Sequence, residues 1–283
     1  MKKILILTDF SDNSRNAANI AIDLAVAIDA DIFLLHSYLI PFPILTPTEV
    51  GIWPDNDIAI IQPDYREELE KEKHRLSLIL KNKPGRHMLK TILKGGDIAP
   101  HVRKIVESKH IDLVIMAGRN KPQNDFLFGS DTKDVLKKAA CPILIIPYDT
   151  KALKLNTIVF ATDLAASDLK AIHKTVGLFE NVKLHIDVTH VSKPVIIADF
   201  REDQAVAEFM ASLARLDLNR VSYRNLRGDN FIHELDKFCE LADADIMAMT
   251  YKKHAFIWNL FFQSRCKEVV DKQRRPLLII PEK

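Results

Sequence analysis

Apolar residues come in short runs of four to seven, and between them lie longer stretches in which apolar positions recur every three to four residues. The run Ile4-Leu5-Ile6-Leu7 is apolar at every position and ends in Thr8-Asp9. A run without polar alternation is expected of a strand buried on both faces of a sheet. From Asp12 to Asp29 the apolar positions Ala17, Ile20, Ala21, Leu24, Ala25 and Ile28 follow helical spacing, with Ser11 or Asp12 as the N-cap. Further strands are expected at Asp31–Ser37, His87–Leu93, Ile111–Ala117 and Pro142–Ile146. Helices are expected at Asp64–Lys81, from an Asp97 cap to Lys109, and at Ser130–Ala139, with a turn at Gly95-Gly96. The stretch Pro41–Pro63 holds Pro41, Pro43, Pro47, Pro54 and Pro63 and is read as neither a continuous helix nor a central strand.

The same order then repeats. Ile158-Val159-Phe160-Ala161-Thr162-Asp163 echoes the first run, Val188-Thr189-His190 echoes Leu34-Leu35-His36, and Gly228-Asp229 echoes Gly96-Asp97. Pro276-Leu277-Leu278-Ile279-Ile280-Pro281 echoes Pro142-Ile143-Leu144-Ile145-Ile146-Pro147. Strands are expected at Thr157–Ala161, Lys183–His190, Arg220–Asn225, Asp245–Met249 and Leu277–Ile280. The helices of this half are expected near Ala166–Glu180, Phe200–Leu216, Asn230–Leu241 and Ser264–Lys272. A repeat of this length is a duplicated domain. We expect two domains, residues 1–148 and 149–283, joined by a short linker near Tyr148–Leu155. Strands alternating with helices imply two doubly wound α/β domains, each with a five-stranded parallel sheet. Ligands of such sheets sit beyond the C-terminal strand ends where the strand order reverses. Thr8-Asp9 and Ala117-Gly118 are expected to face one such crevice.

Composition narrows the function classes. The 283 residues are 47% hydrophobic, with 40 Lys and Arg against 38 Asp and Glu. That balance offers no basic surface for nucleic acid and no acidic tail. Cys141, Cys239 and Cys266 are far apart in sequence, without a C-x-x-C pair, as expected of a reducing, cytoplasmic setting. The apolar run after Met1-Lys2-Lys3 is too short for a leader or a membrane span. The ten histidines show no zinc-ligand spacing, and no P-loop, G-x-G-x-x-G or G-x-S-x-G is present, so no metal is expected.

Read together, these motifs resemble the universal stress protein family in its tandem form. The resemblance is carried by Thr8-Asp9-Phe10-Ser11, Leu34-Leu35-His36, Gly96-Asp97, Gly118, Phe128-Gly129-Ser130 and Cys141–Pro147, in that order, and covers nearly the whole chain. It implies binding and signalling in place of turnover. It also implies an antiparallel pairing of the last strands, Ile143–Ile146 with Leu277–Ile280, which would cover two apolar edges. Many members bind ATP through G-x2-G-x9-G-[ST], where glycines and a helix N-terminus cradle phosphate. Carried over, the site for ATP or AMP comprises Thr8, Asp9, Phe10, Gly118, Arg119, Lys121, Gly129 and Ser130. The motif is altered here. Lys121 stands at the middle glycine, the stretch to Gly129 is two residues short, and Asp131 adds negative charge beside Ser130. Arg119 and Lys121 bring positive charge in compensation. The second half has no glycine at all between Thr250 and Ser264, so no nucleotide is expected there, and Asp163 and Ser264 are read as relics of the fold.

Three functions stay open on these residues: a nucleotide-binding sensor, an interaction module with an unknown protein partner, and a slow ATPase. A homodimer is compatible with each. Phe256–Phe262 either fills the second crevice or docks a partner, and Pro41–Pro63 is either a lid or a packing arm. His36 and His190 end equivalent strands and are expected to be structural.

Overall fold

The computed structural model describes residues 1–40, 55–118, 130–193, 200–216, 218–252 and 275–282, with 55–63, 130, 131, 200 and 201 described through the backbone alone. The first half runs β1 (Lys2–Leu7), α1 (Asp12–Ala27), β2 (Ala30–Tyr38), α2 (Asp55–Lys81), β3 (Leu89–Gly95), α3 (Ile98–Lys109), β4 (Leu113–Ala117), α4 (Ser130–Lys138) and β5 (Ile143–Ile146). The second half runs β6 (Thr157–Ala161), α5 (Ala166–Leu178), β7 (His185–Ser192), α6 (Phe200–Ala214), β8 (Val221–Arg227), α7 (Phe231–Leu241), β9 (Ile246–Tyr251) and β10 (Leu277–Pro281).

All ten strands form one sheet in the order β3-β2-β1-β4-β5-β10-β9-β6-β7-β8. The order is a palindrome of two doubly wound halves, which defines a pseudo-twofold axis at its centre. Each half is parallel throughout, and β5 meets β10 antiparallel, with Leu144 opposite Leu278. The expected pairing of the last strands is therefore the seam of the molecule. Side chains alternate across the sheet, so Leu144, Ile146, Leu278 and Ile280 join a core on one face, while Ile143, Ile145, Leu277 and Ile279 join a core on the other. Both cores contain residues of both halves and run through the seam.

Local chemistry explains most boundaries. Ser11 caps α1, accepting the Ser14 N–H. Gly96, at φ +97°, takes the left-handed turn that leads into α3. Asp97 holds the N-cap position of α3 but makes no side-chain cap bond, so the expected cap is positional only. The linker is tied to α1 by the Asn16 amide, which donates to the Thr150 carbonyl at 2.9 Å.

One expectation is corrected. Helix α2 begins at Asp55 and runs through Pro63, nine residues before the predicted start at Asp64. A proline removes one helical hydrogen bond and costs about 3 kcal/mol in a helix interior. The rest of the helix is firmly held: Leu69 and Leu76 are buried, and buried Glu72 receives a two-pronged bond from Arg75 at 2.6 and 2.9 Å. Residues 41–54 of the Pro-bearing stretch, the Phe256–Phe262 stretch and the helix expected at 264–272 lie outside the described residues.

Candidate functional site

The two halves make the same elbow after their first strands. Buried Thr8 accepts the Phe10 N–H on its hydroxyl at 3.1 Å, and buried Thr162 accepts the Leu164 N–H at 2.9 Å. Phe10 and Leu164 both take left-handed backbone, at φ 64° and 66°. That conformation costs a side-chain-bearing residue roughly 1–2 kcal/mol, and it occurs at the same point of both copies. The elbow carries the following helix off the sheet and leaves the aspartate at the strand end. Asp9 Oδ1 accepts the Ser11 N–H at 3.0 Å and the Ser11 hydroxyl at 2.5 Å, and Asp163 Oδ1 accepts the Ala165 N–H at 3.2 Å.

In the first half β1 lies beside β4, so Thr8, Asp9, Phe10 and Gly118 gather at one crevice. Gly118 donates its N–H to the Ile146 carbonyl at 2.8 Å, and its own carbonyl receives the Asn13 amide at 3.5 Å. Asp9 is exposed. Partial desolvation of its carboxyl pushes the pKa up, but the Ser11 and Ser14 hydroxyls and the Ser11 N–H outweigh it, and the group stays below its ordinary value. Four rings line the side of the crevice toward β2. Phe10 and His36 lie 4.3 Å apart, His36 and Tyr65 5.0 Å, and Tyr38 and Tyr65 5.4 Å in a stacked arrangement. Ser130 opens α4, described through its backbone, while Arg119, Lys121 and Gly129 lie outside the described residues.

In the second half a lysine meets the strand-end carboxylates. The pairing of Ile6 with Ile115 and of Phe160 with Ala248 sets Tyr251 at the position of Gly118 and Lys252 at that of Arg119. Lys252 Nζ lies 2.9 Å from Asp168 Oδ1 and also binds Asp163. Asp168 further accepts the Thr162 hydroxyl at 2.7 Å and the Asp163 N–H at 3.2 Å. Asp163 is thus a partner in an ion cluster, where the sequence suggested a relic. Burial drives the Asp168 pKa above its ordinary value. Asp163 is held below its own because Lys252 outweighs the burial, and Lys252 is raised because both carboxylates outweigh its burial.

Asp168 and Lys252 escaped sequence reasoning. The equivalent of Asp168 in the first half is Ser14, and both stand six residues after the threonine whose hydroxyl they meet. That shared offset was the available signal. Tyr65 lies in the helix expected at Asp64–Lys81, but nothing in its spacing announces that it meets His36 and Tyr38.

A second cluster has the residues of a hydrolytic triad without its geometry. Ser222 donates to Asp187, and His185 Nε2 lies 2.9 Å from the Ser222 hydroxyl. The carboxylate sits on the serine and not on the far imidazole nitrogen, so the array does not activate a nucleophile. Among the described residues no group of three or more His, Cys, Asp or Glu is placed to hold a metal ion, and no helix is long and apolar enough to cross a membrane.

Comparison with known proteins agrees with this architecture. The universal stress protein family profile matches residues 1–147. A universal stress protein of Methanocaldococcus jannaschii is 30% identical over 146 residues, 51% of this chain and 81% of that one. The crystal structure of a universal stress protein from Archaeoglobus fulgidus superposes with a TM-score of 0.68 at 18% identity, covering 99% of this chain and 96% of that one. A functionally unknown protein from Pseudomonas aeruginosa superposes at 0.57 and 13% identity, covering 100% and 93%. The chain belongs to the universal stress protein family, and its two halves are tandem copies of that fold.

Proposed function

We propose that this chain is a cytoplasmic stress-response protein that binds one adenine nucleotide, ATP or AMP, in its first domain and acts by binding and signalling. The first domain is taken as residues 1–148 and the second as 149–283. The proposed ligand site is Thr8, Asp9, Phe10, Gly118, Arg119, Lys121, Gly129 and Ser130. The nucleoside end would lie against Asp9 and Phe10, and the phosphates against Gly118, Gly129 and the α4 N-terminus.

The observation that carries this reading is the asymmetry of the two crevices. In the second, Lys252 holds both strand-end carboxylates, while among the described residues Asp9 meets only the serines of its own turn. An ammonium buried between two aspartates takes the space and the charge a ligand would use. The first crevice keeps a buried glycine backbone at the strand end and no internal cation among the described residues.

Thermal unfolding with ATP, ADP and AMP tests the reading. A ligand at a hundred times its Kd adds about 2.7 kcal/mol of stability. The parent is expected to melt higher with nucleotide, and Gly129→Arg is expected to lose the gain. A parent whose melting temperature ignores all three nucleotides would favour a pure interaction module.

A further inference from the structure

This inference rests on the first domain being the nucleotide-binding one, and it concerns how the ligand is recognised. His36 stands two residues before the end of β2, with its Nδ1 2.8 Å from the Thr8 carbonyl. A carbonyl oxygen only accepts, so Nδ1 carries the proton and Nε2 of the neutral ring carries the lone pair. The side chain is 6% exposed, and Nε2 meets no hydrogen-bond partner among the described residues. Burial lowers the His36 pKa, against the opposing effects of the Thr8 carbonyl and nearby Asp9, and so holds the ring neutral. Phe10 and Tyr65 flank it, and their ring carbons offer no donor. An acceptor left buried and unmet is costly, and such a group calls for an explanation.

The second copy is an internal control. His190 makes the same bond, with Nδ1 3.0 Å from the Thr162 carbonyl. Its Nε2, however, lies 3.4 Å from the Glu202 carboxylate on α6. The duplicated histidine is thus satisfied within the chain in the second half and without a partner for Nε2 among the described residues in the first. Asn13 repeats the pattern. Its amide nitrogen faces the Gly118 carbonyl at 3.5 Å, and its buried Oδ1 has no partner among the described residues. Asp9, Asn13 Oδ1 and His36 Nε2 are therefore three acceptors close to the elbow after β1. A phosphate ester offers only acceptors in return. The donors of a nucleotide are its base amino group and its ribose hydroxyls.

From this arrangement we infer that His36 Nε2 is a recognition acceptor of the first crevice, taking an N–H or O–H from the nucleoside part of the ligand between the Phe10 and Tyr65 rings. Its role is to select a ligand that brings a donor to an apolar-walled site. Nδ1 fixes the tautomer, so the neutral ring cannot present a donor there instead.

The test uses the intact chain, calorimetric titration and four probes: AMP, 2′-deoxy-AMP, 3′-deoxy-AMP and purine riboside 5′-monophosphate, which lacks the amino group. The variant is His36→Asn, which keeps an N–H for the Thr8 carbonyl and has no atom at the place of Nε2. AMP affinity is expected to fall about tenfold in the variant. The probe lacking the matching donor is expected to bind parent and variant equally, which identifies that donor as the amine or one hydroxyl. Equal losses for all four probes, or no loss for any, overturn the inference. The nitrogen-15 resonance of His36 Nε2 in the parent supplies a second readout that needs no variant. It is expected to move on saturation with AMP, as an accepted hydrogen bond requires, and a stationary resonance overturns the inference. Failure of the underlying nucleotide reading looks different, because the parent itself then gives a flat titration with every probe.

Discussion

Lys252 and Asp168, 84 residues apart in sequence, form an ion pair of 2.9 Å in which the aspartate side chain is 2% exposed and the lysine 12%. With Asp163 as third member, the pair does at the end of β6 and β9 what Ser14 and Thr8 do without formal charge at the end of β1. Both strand-end carboxylates of the second half thus have an internal cation.

Removing the cation alone leaves two carboxylates facing each other. Lys252→Met is expected to destabilise the chain by about 3–5 kcal/mol, the usual cost of stripping one member from a buried pair. Adding Asp168→Ser, which restores the residue type of the first half, is expected to recover most of the loss. Denaturant midpoints of the parent, single and double variants measure this. A double variant no more stable than Lys252→Met would contradict the cluster's role.

The His36 pKa sits below its ordinary 6.5 in the folded chain. Between that value and 6.5 the unfolded chain holds more protons, so stability falls as pH falls through this window and is level above it. The slope from this one group is at most about 1.4 kcal/mol per pH unit. His36→Asn is expected to flatten that part of the stability–pH curve, read from denaturant unfolding between about pH 5 and 8, roughly one and a half units either side of the ordinary value. An unchanged curve would mean that His36 is not held neutral.

The seam predicts joint unfolding. Leu278 is fully buried, stands opposite Leu144, and belongs to a core that passes from one half into the other. Leu278→Ala is expected to cost about 2–5 kcal/mol and to shift one shared transition. Calorimetry that resolves two separate transitions, only one of them displaced, would contradict this.

The buried thiols report the same event chemically. Cys239 is fully buried, and burial pushes its thiol up to about 12, while Cys141 is 4% exposed. In a Cys266→Ser background, alkylation of both is expected to require unfolding and to quicken with denaturant at one rate. Rapid alkylation of Cys239 in native buffer would contradict its burial.

The sequence made the architecture readable because buried parallel strands write themselves as unbroken apolar runs. Thr157–Ala161 was expected and is observed with the same ends, and the elbow after β1 was announced by Thr8-Asp9 and its echo. The site was half legible. Asp9 and Gly118 declare themselves through strand ends and glycine chemistry. Lys252 does not, since a lysine after a strand reads as solvated until the fold sets it against Asp163 and Asp168. Nor does His36 reveal an Nε2 without a partner, which emerges only when the described donors around it are set in space. Helix α2 was misjudged at its start because local proline chemistry argued one way and the backbone runs the other.

The most direct test of the account is the number of nucleotides bound per chain, counted by calorimetric titration of the parent, Gly129→Arg and the Lys252→Met/Asp168→Ser double variant. One site in the parent, none in Gly129→Arg and one in the double variant is the result predicted, because His36 Nε2 and Asn13 Oδ1 of the first half lack a partner among the described residues while Lys252 already holds the second half's strand-end carboxylates. Two sites in the parent, or one site that survives Gly129→Arg and vanishes in the double variant, would place the ligand in the second crevice and contradict it.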